Sequence, residues 1–246
     1  MKIRKRVISL VLVVLSVIWF LTNCTTIPTG QSYQEEGKEI NPTAYRQYLL
    51  YLPSNYYKEK TTEWPLIVYL HGYSECGNLE LLVSDSLPKM LETTKELPFI
   101  VACPHLSSIR SWQADEVRDF VIYFSSKFRV DKKRIYLTGI CWGGSGTWVT
   151  ICAYPDFFAA AAPVCGMSKR KNAAQLIRLP VWVFHGAEDN TIPASISVEM
   201  VEALKSCGAN VRFTLYPELG HECWNETYSN PELYEWFLAQ SREPHH

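Results

Sequence analysis

The sequence lacks an excess of positive charge. Its 24 Lys and Arg are matched by 25 Asp and Glu over 246 residues, a formal net charge of -1. Outside the first six residues no run of basic side chains is longer than three. No basic nucleic-acid surface is offered, and no nucleic-acid partner is expected. There is no internal repeat and no low-complexity tract, so neither a repeat architecture nor a compositionally biased segment is indicated. No C-x-x-C pair and no His/Cys spacing of the zinc-binding kind occurs, so no metal and no cofactor is expected. No A-x-A-like cleavage site follows the N-terminal apolar run, and that run, Val7 to Leu21, is short for a membrane span.

What is present is apolar mass. Hydrophobic residues make up 47% and aromatics 13%, ample for one substantial core. Lys2, Arg4, Lys5 and Arg6 precede the apolar run, which ends in Leu21-Thr22-Asn23-Cys24. This resembles a bacterial lipobox, with Cys24 as the lipidated residue and Asn23 a departure from the small residue usual there. The reading is a signal peptide over 1–23, a polar, Gly- and Pro-bearing tether over 24–44 and one folded domain over 45–246. It implies an exported chain held to the cell envelope by an N-terminal lipid. The alternatives are a secretory signal cleaved elsewhere and an uncleaved anchor.

Along 45–246 apolar strands alternate with helices. Strands are expected at Gln47–Leu52, Pro65–Leu70, Phe99–Cys103, Arg134–Leu137, Phe158–Val164, Val181–Phe184 and Val211–Tyr216. Helices are expected at Asp115–Phe128, Gly146–Ala153, Ile196–Lys205 and Pro231–Gln240. Such alternation predicts the α/β class, a mostly parallel central sheet with helices on both faces and its site at the strands' carboxyl ends.

The most specific stretch is Gly139-Ile140-Cys141-Trp142-Gly143-Gly144, directly after an apolar β-forming run. This is the layout of a nucleophile elbow, with Cys141 where serine normally sits. Glycines two residues either side allow a turn in which a Cβ would strike neighbouring backbone. The turn delivers the sulfur to a helix N-terminus, where amides and dipole favour negative charge. Ser145 is the rival in register, but Thr147 replaces the glycine it would need and no strand feeds it.

A thiol nucleophile needs a base, and the base an orienting acid, in the chain order nucleophile, acid, histidine. Asp189, after the strand ending in His185-Gly186, is the candidate acid, with Glu188 as runner-up. His221, after the last strand, is the candidate base. His185 is read as a packed histidine bonded to backbone, and His105 lacks an acid nearby in sequence. The amides of Tyr73 and Trp142 are the candidate oxyanion hole. Glu75 either contacts substrate or holds its loop. Trp112, Trp142 and Trp224 either line the mouth or pack. Of the other cysteines, Cys152 and Cys165 are read as core thiols and Cys76–Cys223 as a candidate disulfide.

The strings Leu70-His71-Gly72, Arg134–Gly139, Gly143–Trp148, Phe184–Asp189, Gly220-His221 and Tyr228–Trp236 together resemble the α/β-hydrolase superfamily, from about Tyr45 onward. Within it they are similar to bacterial phospholipase/carboxylesterase and predicted-peptidase sequences. The Gly-x-Cys-x-Gly-Gly elbow resembles that of dienelactone hydrolases. The resemblance implies an α/β-hydrolase fold, the triad Cys141, Asp189 and His221, and hydrolysis of a small ester, lactone or thioester. Cys76 stands where the esterase group usually has arginine after the glutamate. Cysteine suits activated acyl groups better than amides, so a peptidase ranks below an esterase. The other alternative is a non-catalytic envelope lipoprotein on a degenerate hydrolase scaffold.

Overall fold

A computed structural model describes residues 27–39, 41–93 and 96–242. The signal and lipidation readings, Met1–Cys24, lie outside these residues.

Eight strands form one sheet in the order β1-β2-β4-β3-β5-β6-β7-β8. They are β1 (Gly30–Glu35), β2 (Gln47–Leu52), β3 (Trp64–Leu70), β4 (Ile100–Pro104), β5 (Val130–Ile140), β6 (Ala160–Val164), β7 (Val181–Gly186) and β8 (Val211–Tyr216). The β1/β2 and β2/β4 pairs are antiparallel, and every pair from β4 to β8 is parallel. The α-helices are α1 (Ser86–Thr93), α2 (Ala114–Lys127), α3 (Trp142–Ala153), α4 (Ser195–Ser206), α5 (Trp224–Ser229) and α6 (Pro231–Leu238).

The fully buried β3 and β4 explain why their sequences run apolar without alternation: both faces are covered. Leu66, Val68 and Leu70 of β3 pack with Val117, Phe120 and Phe124 of α2, Trp148 and Ile151 of α3 and Met200 and Leu204 of α4. Ile67 and Tyr69 point the other way, into a second core with Leu87 and Leu91 of α1, Tyr228 of α5 and Leu233 and Phe237 of α6. The period-2 alternation of a strand thus feeds two cores, one on each face. This is the fold class expected from the sequence.

Three differences from the expected elements bear on function. First, β1 lies inside the stretch read as a tether and pairs with β2 from Gly30↔Leu52 to Glu35↔Gln47, so the sheet begins well before residue 45. Second, β5 runs on to Ile140, and α3 starts at Trp142, directly after the candidate nucleophile. Third, α1 and α5 were not expected; they lie against each other beside the His221 loop. Asp85 ties them, its Oδ2 accepting the indole N–H of Trp224 at 2.6 Å.

Candidate functional site

Cys141 occupies the single residue between β5 and α3, with φ 50° and ψ -111°. For a non-glycine residue this is a strained conformation, and such strain gathers at active sites. It is held from both sides: the Cys141 amide donates to Val164 C=O at 3.0 Å, and its own C=O accepts the Ser145 amide at 2.9 Å. The close approach explains the flanking glycines. An added Cβ at Gly143 would lie 1.9 Å from the Leu70 carbonyl oxygen, and one at Gly139 would lie 2.6 Å from that of Gly143. Cys141 is half-buried, at the mouth of the turn. Ser145 is committed elsewhere, donating to Cys141 C=O and accepting the Met167 amide at 2.9 Å. Its hydroxyl fastens the first turn of α3, as expected for the rejected rival.

The loops after β7 and β8 bring the other two groups together. Asp189 Oδ2 lies 2.7 Å from His221 Nδ1, and Oδ1 accepts the Thr191 and Ile192 amides, each at 2.8 Å. Burial opposes the carboxylate's charge, but the His221 contact and the two amides outweigh it, and the pKa of Asp189 is lowered. An ionised, buried acid therefore faces one edge of the imidazole. For His221, burial again opposes charge; the Cys141 thiol and then the Asp189 carboxylate overcome it and raise the pKa to about 9. The imidazole Nε2 is buried without a hydrogen-bond partner among the described residues. The thiol's approach is thus looser than a hydrogen bond, as catalytic contacts often are before substrate binds.

Glu188 is exposed and makes no such contact, so Asp189 is the carboxylate that meets His221. His185 differs from its reading in one respect. Its Nε2 does meet backbone, Ile192 C=O at 2.8 Å, but it also lies 3.1 Å from Asp189 Oδ2. It buttresses the acid from behind, with Nδ1 on Ser197 Oγ at 2.7 Å.

The loop after β3 forms the facing wall. His71 is wholly buried, and burial lowers its pKa to about 4, so it is neutral. Its Nε2 accepts the Leu106 amide at 3.0 Å and its Nδ1 lies 2.7 Å from Gly72 C=O. Trp112 donates its indole N–H to His71 C=O at 3.2 Å, and His105 Nε2 sits 3.0 Å from Glu75 C=O. These contacts fix the loop that carries Tyr73. Neither the Tyr73 nor the Trp142 amide has an acceptor among the described residues. Their side chains stack, centroids 5.0 Å apart and 9° from parallel, over the mouth. Glu75 turns inward: it is 5% exposed, bonded to Ser74 Oγ at 3.1 Å, and burial raises its pKa. That placement suits holding the loop rather than meeting substrate. Trp224 is also mostly buried, its ring edge-on to His221 at 5.5 Å. It braces the imidazole.

The cysteines depart from expectation. Cys76 and Cys223 are both free thiols, not a disulfide. Cys76 packs against the α2/α3-side core and Cys223 belongs to the α1/α6-side core, so the sheet separates them. Cys152 is half-buried: it packs against the α2/α3-side core and also lines a surface cavity. Cys165 is buried as expected, yet it is not remote. At φ 40° it follows β6, and its sulfur, an Asp189 oxygen and a His221 nitrogen all lie within 4.8 Å of one another. Burial pushes its pKa up, so it backs the acid–base pair as a neutral thiol. Its neighbour Ala160–Val164 reads as plain core; only the β5/β6 register, Ile140↔Val164, brings residue 165 beneath residue 141.

Comparisons with known proteins agree with this geometry. Among curated proteins, a putative carboxymethylenebutenolidase of Escherichia coli strain K12 is 30% identical over 112 residues, 42% of this chain and 41% of the relative. One from Methylorubrum extorquens is 32% identical over 102 residues, 38% of this chain and 35% of the relative. The match therefore spans about two fifths of the length of such relatives. Among solved structures, a thermostable esterase superposes with a TM-score of 0.67 at 27% identity, over 80% of this chain and 59% of the other. A mutant feruloyl esterase module from Clostridium thermocellum, complexed with sinapinate, gives 0.68 at 17% identity, over 90% and 93%, a likeness of fold alone. The dienelactone hydrolase family model matches residues 105–234, just over half of the chain and the span that holds the elbow, the acid and the imidazole. Sheet order, cysteine elbow and profile converge, and the chain belongs to the dienelactone hydrolase family.

Proposed function

We propose that the protein hydrolyses carboxylic esters, lactones or thioesters through a thioester on Cys141. The observation that carries this reading is geometric: Cys141 stands at a strained strand-to-helix turn, and the His221 imidazole beside it is held at Nδ1 by Asp189 Oδ2 at 2.7 Å. The raised pKa of His221, caused by the Cys141 sulfur and the Asp189 carboxylate, agrees with that arrangement. In the forward step the Cys141 S–H proton passes to His221 Nε2, the sulfur attacks the acyl carbon and the C=O π electrons move to oxygen. The Tyr73 and Trp142 amides, free of internal acceptors, are available to that oxygen. The oxyanion collapses, the C–O bond breaks, and imidazolium at 221 gives its proton to the departing alcohol. Water, deprotonated by the neutral imidazole, then attacks the thioester and releases the acid and the thiol. Family membership and the names of the curated relatives support the small ester or lactone class.

The test is an acyl adduct. Brief exposure to a p-nitrophenyl ester at low pH should add one acyl mass to the intact protein, and prior alkylation with iodoacetamide should abolish it. An adduct that survives alkylation, or none at all with turnover intact, would remove the thioester from the scheme.

The same reading places the protein at the cell envelope, supported by the basic, apolar and Leu21-Thr22-Asn23-Cys24 segments of the sequence. Cys24→Ala should move the full-length chain from the membrane fraction to the soluble fraction; equal partition of both forms would discard the lipid anchor.

A further inference from the structure

A cavity of about 770 Å³ runs along the outer face of α3. It begins at Trp142, whose amide is the proposed oxyanion donor, and extends to Ala153. The eleven steps between these two residues, at about 1.5 Å each, make that about 16 Å long. Trp112, Trp142, Val149, Met167 and Met200 give it an apolar lining. Lys169 stands at the rim, exposed and without an ion pair among the described residues. Among the described residues no carboxylate lines the cavity. A volume of this size suits a ligand much larger than an acetyl group.

Its position relative to the triad tells which half of an ester it receives. The alcohol must leave toward His221, its proton donor. None of the cavity's lining comes from the His221 loop, β8, α5 or α6; all of it lies on the Trp142 and Met167 side. Resting on the ester-hydrolase reading above, we propose that this cavity is the acyl subsite, and that it selects a long apolar acyl chain ending in an anion that Lys169 meets. Monoesters of medium-chain dicarboxylic acids have that chemistry. The apolar walls drive burial of the methylenes, and the lone cation without a competing carboxylate favours the anionic terminus.

The test compares p-nitrophenyl acetate, octanoate and monosuberate. Monosuberate should exceed acetate in kcat/KM on the order of tenfold or more. Val149→Trp, a change at a half-exposed helix position, should fill the cavity and return monosuberate to the acetate level. Lys169→Met should erase the preference for monosuberate over octanoate. Separately, suberate titrated into Cys141→Ala should quench tryptophan fluorescence, and should not do so when Val149→Trp is added. No gain with chain length, a gain that survives Val149→Trp, a ratio untouched by Lys169→Met or an unquenched Cys141→Ala would each overturn the subsite. Quenching with no Cys141-dependent turnover of any ester would instead support the subsite and overturn the hydrolase reading.

Discussion

Replacing Cys141 by alanine is expected to lower kcat for a p-nitrophenyl ester by at least about 10⁴-fold, because every later step needs the thioester. His221→Ala should fall equally far, and Asp189→Asn on the order of 10⁴-fold, since the imidazole then loses the carboxylate that orients and charges it. The three losses should not add in combination, because the groups act as one unit. Folding should be untouched: Cys141 is half-exposed, and alanine meets the same backbone strain at φ 50°. The pH profile is a second signature. With His221 raised to about 9, kcat/KM for an alkyl ester, whose alkoxide must be protonated as it leaves, should decline as pH rises through that value and the imidazolium is lost. Steady-state kinetics from pH 5 to 10 on the purified domain, with circular dichroism on each variant, decide the matter. Equal rates in wild type and all three variants would return the protein to the class of inert scaffolds.

The second large effect is on folding. Gly143→Ala would put a methyl carbon 1.9 Å from the Leu70 carbonyl oxygen, 2.4 Å from its carbonyl carbon and 2.6 Å from the His71 oxygen. All three are backbone atoms, so no side chain can turn aside. Either α3 must lift from the end of β3 or the β3 loop must shift. Both moves open the contact between nucleophile and proposed oxyanion hole, and β3 is buried along its whole length. The cost should be several kcal/mol, a large share of the 5–15 kcal/mol that holds most domains folded. The variant is expected to be insoluble, or soluble with a greatly lowered Tm and no turnover. Gly37→Ala is the control, since nothing lies within 4 Å of its would-be Cβ. It should leave Tm within a degree or two and activity intact. Equal melting of the two variants would mean that the elbow tolerates a side chain, and the packing account of its glycines would fail.

Much of this site was legible in the sequence because its parts are local. A strand buried on both faces must be apolar throughout, which exposes Pro65–Leu70 and Val181–Phe184 at once. A tight turn must carry glycine, which exposes the elbow. The acid and the base each follow a strand, and chain order pairs them. What escaped was set by partners distant in sequence. β1 reads Gly-Gln-Ser-Tyr-Gln-Glu, polar enough for a linker. It is an edge strand held by backbone pairing to β2, so its side chains owe no pattern to a core. Helices α1 and α5, of eight and six residues, are too short for a periodic stripe. The nearness of Cys165 to the triad depends on register, and the neutrality of His71 on burial by residues 35 and 41 positions further on. Spacing along the chain records neither.

Ile27, three residues beyond Cys24, already packs against the α2/α3-side core, and its carbonyl accepts the Tyr57 hydroxyl at 2.6 Å. On the proposal of a lipid at Cys24, the chain from that residue to Ile27 can span at most about 10 Å, not the roughly 70 Å that a linker to residue 44 would permit. A body moored so closely would ride on the bilayer rather than roam above it, and would draw its esters from what lies within a molecular diameter of the lipid headgroups.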